Sequence, residues 1–158
     1  MKDFLLLLIF TLISGACAAG DFGVQVDASF VKSQSEAYLY FNLKNNSGVN
    51  IEVYKSLLPW ENANSISMVA YIKNNITTEI YQVFPISDPF FSDRVIVKNG
   101  SALNGKIRLS KFFPSLNKSL KENDVLLFWS YFMILANRDA SKYFSGVVVI
   151  PRDLVQSN

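Results

Sequence analysis

Asp124-Val125-Leu126-Leu127-Phe128-Trp129-Ser130-Tyr131-Phe132-Met133-Ile134 is the most apolar run after the N-terminal segment. A run of about eleven residues suits a long strand or a short helix, so its length leaves the state open. Its composition favours a strand. Phe128, Trp129, Tyr131 and Phe132 are bulky aromatics and Val125 is β-branched, the side chains that fit a pleated surface. Val125, Leu127, Trp129, Tyr131 and Met133 then face one way, and Leu126, Phe128, Ser130, Phe132 and Ile134 the other. Both faces are apolar. The strand is therefore expected to be covered on both sides, or to lend one face to a binding surface. Trp129 is the expected core anchor, and its replacement by Ala should cost about 3–5 kcal/mol. Aromatics at strand spacing are more often core than a ligand-stacking platform.

Around this run the chain breaks into short β-like segments separated by Asn, Gly, Ser, Pro and Asp, the rhythm of a two-layer sandwich. Strands are predicted at 22–31, 36–43, 50–57, 66–72, 77–84, 94–98, 105–109 and 143–150, besides the central one. In 36–43, Ala37, Leu39 and Phe41 alternate with Tyr38, Tyr40 and Asn42. With the turn Lys44–Gly48, that segment and 50–57 read as a hairpin. Segment 85–91 carries two prolines and reads as irregular, and 110–124 reads as a crossover between layers with one helical turn.

Residues 1–19 read as a secretory signal peptide. Lys2 supplies a positive start, Phe4–Ile13 an apolar middle and Ala16-Cys17-Ala18 a small-residue cleavage pattern. About ten apolar residues fall short of the roughly 20 that span a bilayer, so no transmembrane segment is expected. The chain is thus expected to be exported, with the domain at 20–152 and a loose tail at 153–158. Cys17, the one cysteine, is a candidate for lipidation, because Ser14-Gly15-Ala16-Cys17 is similar to a bacterial lipoprotein signal. Simple cleavage after Ala18 or Ala19 is the first expectation and a lipid anchor the second. In the first case the mature chain has no disulfide and relies on its core.

The 158 residues suggest one domain, half of them are apolar, and the formal net charge is +2. With no Lys/Arg cluster, nucleic acid is not an expected partner. The chain contains no histidine. That excludes Ser-His-Asp and Cys-His nucleophile pairs and histidine metal sites, and neither a cofactor nor a metal is expected. Ser29…Lys32 and Ser115…Lys118 match S-x-x-K without the accompanying S-D-N and K-T-G, and read as chance. Asp88, Asp93 and Asp124 would have to converge in a pocket to form a carboxylate-only hydrolase; Asp88 and Asp93 read first as turn residues around Pro89. N-x-S/T sequons occur at Asn45, Asn75, Asn99 and Asn117, all at predicted turns. Leu58-Pro59-Trp60 is the candidate binding loop, with the plugging of an open sandwich end as the expected role of Trp60.

Taken together, Tyr40–Asn45, Leu58-Pro59-Trp60, Ile86–Pro89, Gly105, Leu109, Phe113-Pro114, Asp124-Val125 and Phe128–Tyr131 resemble a group of small exported bacterial proteins of unknown function. The resemblance implies an immunoglobulin-like sandwich in the periplasm or outside the cell and supplies no catalytic residues. Where that group has Gly-Gly before the last strand, this chain has Ser145-Gly146. The segments Tyr38–Leu43 and Asn50–Val53 also resemble the start of bacterial intracellular proteinase inhibitors with a sandwich fold. The expectation is an all-β, antiparallel, immunoglobulin-like two-layer sandwich preceded by a signal peptide. It is non-enzymatic and exported to the periplasm or beyond, and it contacts a protein partner. One alternative is a hydrolase or protease inhibitor acting through the loop at 57–64. The other is a small carboxylate-dependent hydrolase.

Overall fold

A computed structural model describes residues 23–33, 36–84, 93–137 and 140–152. The predicted signal peptide, Cys17, the segment 85–92 with Asp88, and the tail 153–158 lie outside these residues. Nine strands are described: β1 (Val24–Ser33), β2 (Glu36–Asn45), β3 (Ile51–Tyr54), β4 (Ile66–Ile72), β5 (Asn75–Glu79), β6 (Arg94–Val97), β7 (Ala102–Arg108), β8 (Val125–Leu135) and β9 (Ala140–Ile150). A single four-residue α-helix, α1 (Leu116–Ser119), and three one-turn 3₁₀ segments complete the set. The chain is all-β, and every strand pairing is antiparallel.

The smaller sheet has the order β1-β2-β7. The larger is built on β8. Along one edge β8 pairs with β9 over its whole length; along the other it pairs first with β4 and then, at Leu135, with β3. β5 extends β4, and β6 extends β3. The apolar run is thus the middle of the larger sheet, as its composition implies.

Burial along β8 alternates without a break. Val125, Leu127, Trp129, Tyr131, Met133 and Leu135 are buried, while Phe128 and Phe132 are exposed. β2 presents Ala37, Leu39, Phe41 and Leu43 to the same core. The two sheets meet where Phe41 stands edge-on to Trp129, ring centroids 5.4 Å apart. Trp129 is 5% exposed and also rests on Gly146 of β9, whose missing side chain leaves room for the indole. Ser145-Gly146 therefore lies inside the last strand and not before it.

Several predicted features differ, among them the strand predicted at 50–57, which ends at Tyr54 and passes into a 3₁₀ turn over Lys55–Leu57. β2 and β3 are not a hairpin: β2 pairs with β1 and β7, whereas β3 belongs to the other sheet. Alternation fixes which side chains point inward and leaves the pairing partner open. The residues between the two strands carry the chain across the core, held by side-chain hydrogen bonds of Asn45. The strand predicted at 77–84 begins earlier and ends at Glu79; Ile80–Phe84 continue without strand pairing, tied by Ile80 N–H to the Ala70 carbonyl and Val83 N–H to the Phe112 carbonyl. The strand predicted at 105–109 begins at Ala102 and gives way at Leu109 to a 3₁₀ turn. The crossover predicted at 110–124 does run from β7 in one sheet to β8 in the other and holds α1.

Candidate functional site

The outward residues of β4, β8 and β9 are Ser67, Val69 and Tyr71; Leu126, Phe128, Ser130, Phe132 and Ile134; and Ser141, Tyr143, Ser145, Val147 and Val149. None carries a charge. Of the two possibilities open for a strand apolar on both faces, the first is not met among the described residues: no described element covers this side. Tyr143 is 72% exposed, Val147 55%, Val149 47%, Phe128 44% and Phe132 37%. Exposed aromatics and valines gather on these adjoining strands, and large exposed apolar areas often mark a contact surface.

Strand register orders this face into transverse rows. Val69, Phe128 and Val147 are directly opposite one another, and so are Tyr71, Leu126 and Val149. The Phe128 ring meets Tyr71 edge-on at 6.1 Å. These two rows make one ridge. The next row is Ser67, Ser130 and Ser145, three small polar side chains in register. Beyond it Phe132 and Tyr143 pair, ring centroids 4.5 Å apart, as a second ridge. The serine row is the floor of a depression of about 430 Å³ bordered by Val69, Phe128 and Val147. A second depression of about 520 Å³ lies on the far side of Phe132, lined by Tyr54, Ile134, Ala140 and Ser141 among others. The face is therefore a relief of ridge, furrow, ridge and hollow. Charged groups border it: Glu79 opposite Tyr71 on β5, Glu52 with Arg94 at 3.4 Å, and Lys73 with Asp124 at 3.2 Å.

The candidate loop is placed differently. Leu58 and Pro59 are buried, and Trp60 is half-buried against Phe41, ring centroids 6.5 Å apart. Gly105 of β7 lies directly beneath the indole, and a Cβ there would fall inside the ring. Asn62 fixes the segment by accepting the Asn64 N–H at 2.9 Å, and the Ser65 hydroxyl donates to the Leu58 carbonyl at 3.0 Å. Pro59 and Trp60 border a hollow of about 250 Å³ against Lys106, Arg108 and Lys111. Cys17 lies outside the described residues.

The two described carboxylates of the hydrolase reading, Asp93 and Asp124, do not converge. Asp93 is exposed at the start of β6, and its carbonyl accepts the Lys55 N–H. Through β3, that end of β6 is level with the last residues of β8, whereas Asp124 precedes the first. About nine residues of strand, or about 30 Å, separate the two. The Arg152 backbone N–H and the Lys73 ammonium hold the Asp124 carboxyl below its ordinary value. Asp88 lies outside the described residues. Among the described residues no three Asp, Glu or Cys side chains gather as a metal site would need. Ser29 and Lys32, three apart on β1, point to opposite faces of the strand.

One sequon residue has a structural role instead. Asn45 is fully buried, the next inward position of β2 after Leu43. Its amide donates to the carbonyls of Val49 at 2.8 Å and Val97 at 2.9 Å, and its side-chain oxygen accepts from the backbone and hydroxyl of Ser47. Asn75, Asn99 and Asn117 are exposed.

No family model matches the chain, and no curated protein is similar to it. A solved structure of a protein from Archaeoglobus fulgidus is similar over 84% of this chain and 99% of that one, at 14% identity and a TM-score of 0.38. Among the described residues no helix is long and apolar enough to cross a membrane.

Proposed function

We propose that the protein is an exported, non-enzymatic interaction module of the periplasm or cell surface, with the outer face of β4, β8 and β9 as its contact surface. The observation that carries this reading is the uncharged, exposed relief around Phe128 and Phe132. A large apolar face on a protein folded around its own separate core is a site for a macromolecular partner. The signal-like residues 1–19 and the resemblance to small exported bacterial proteins support export. The two antiparallel sheets with Trp129 at the centre support an immunoglobulin-like sandwich. The inward packing of Leu58 and Pro59 gives the inhibitor reading little protruding apolar surface to insert into an enzyme.

The test is retention of a partner from an envelope fraction by immobilised protein, compared with the double variant Phe128→Ser/Val147→Ser. The unmodified protein should retain a partner that the variant loses, with the variant's thermal unfolding little changed. Retention indifferent to these substitutions would remove the face from the proposal.

A further inference from the structure

We infer that the partner of this face is a second copy of the chain, paired face to face about a two-fold axis. The inference rests on the reading of the face as a contact surface. Its argument is the self-complementarity of the relief.

Consider an axis in the interface that runs across the strands, midway between the levels of Ser130 and Phe132. A half-turn about it brings Phe132 of each copy opposite Ser130 of the other. On β9 the same half-turn sets Tyr143 opposite Ser145, because those residues share the levels of Phe132 and Ser130. The aromatic ridge thus enters the serine furrow twice, once from each side. The same operation carries Phe128 to the level of Ile134, which lines the hollow beyond Phe132. One axis therefore seats both ridges in both depressions, as an isologous interface requires. Sheets stacked this way lie within about 30° of alignment, which their twist accommodates.

The outward positions of β4, β8 and β9 carry no charge, so the centre of the pairing meets without repulsion. At its margin the half-turn sets Tyr71 at the level of Glu52, whose carboxylate is already paired with Arg94 at 3.4 Å and so is not left as an unpaired ion. On β8 and β9 the exposed Phe128, Phe132, Tyr143, Val147 and Val149 leave roughly 500 Å² open, and the half-buried Val69, Tyr71, Leu126 and Ile134 add to it. That approaches the ~800 Å² each partner gives to a stable complex.

The experiment is sedimentation equilibrium of the full chain from low to high micromolar concentration, alongside Phe132→Ser and Ser130→Phe. A monomer–dimer equilibrium is expected, with dissociation raised at least about tenfold by either substitution. Ser130→Phe is the decisive one: it enlarges the apolar surface, so indiscriminate stickiness would strengthen association, whereas a filled furrow blocks the ridge. Should that variant lose the β-sheet signature of its circular dichroism, Phe132→Glu gives the same answer by placing a charge on the ridge. A dimer unaffected by these substitutions overturns the pairing. So does a monomer at every concentration, whether Phe4–Ile13 of the same chain covers the face or nothing does. If that monomer still retains a partner dependent on Phe128 and Val147, the interaction reading stands without the pairing; if it does not, both fall.

Discussion

Asn45 occupies a position where the alternation of β2 calls for an apolar side chain. It is tolerated there because each polar atom is used: the amide donates to carbonyls on two separate segments, and the oxygen accepts from Ser47. The Val97 carbonyl belongs to β6 of the larger sheet, so this one amide ties the end of one sheet to the other. Replacing Asn45 with Ala leaves the buried Val97 carbonyl without this donor and frees the turn at Ser47, whose hydroxyl still donates to the Val49 carbonyl at 3.0 Å. A loss of about 2–4 kcal/mol is expected, read by denaturant unfolding. Asn45→Asp should be no better, since it removes both donated bonds and buries a charge. Either variant retaining full stability would show that water replaces the amide. Gly105 sets a similar constraint by absence, giving the Trp60 ring its place against β7.

At the scale of elements, β8 divides its side chains between two roles. Met133 is fully buried, while its neighbour Phe132 stands outside against Tyr143. Met133→Ala should cost about 2–5 kcal/mol, the range for a truncated core side chain. Phe132→Ala should cost about 1 kcal/mol or less, since it loses a surface ring pair and leaves no cavity. Chemical denaturation of the two variants side by side checks this, and equal losses would mean that the outer face is as much core as the inner. The central place of β8 and the inward parity of β2 were legible in the sequence, because aromatic and β-branched composition and alternation are local signals. The false hairpin between β2 and β3 marks where that legibility stops: two strands consecutive in the chain can enter different sheets with the same alternation. The exposed outer face was half-legible. Apolar residues at both parities of β8 required either a cover or a use, but the serine row depends on the register of Ser67, Ser130 and Ser145, which come from three distant stretches. Asn45 was legible only as a sequon, since nothing in the triplet Asn45-Asn46-Ser47 reveals burial.

For the whole molecule, the absence of histidine fixes the shape of the pH–stability curve. No side chain in the chain has an ordinary pKa between about pH 5 and 8, so folding should exchange few protons there. The limits lie on either side. Asp124 is held below its ordinary value of 3.8, first by the Arg152 backbone N–H and then by Lys73. Its contribution is complete above 3.8 and is lost as pH falls through the lower folded-state value. At the alkaline side, burial pushes the Tyr131 hydroxyl above its ordinary 10.0. The unfolded chain releases that proton near pH 10 while the folded chain holds it, so stability falls as pH rises past 10. Thermal unfolding should therefore be level from weakly acid to weakly alkaline pH and drop beyond it. Tyr131→Phe, which keeps the ring in the core and removes the ionisable group, should flatten the alkaline drop relative to the parent at the cost of a small uniform change. Calorimetric midpoints of both proteins across this range measure it. If the two alkaline limbs fall together, Tyr131 is not the group whose ionisation opens the core.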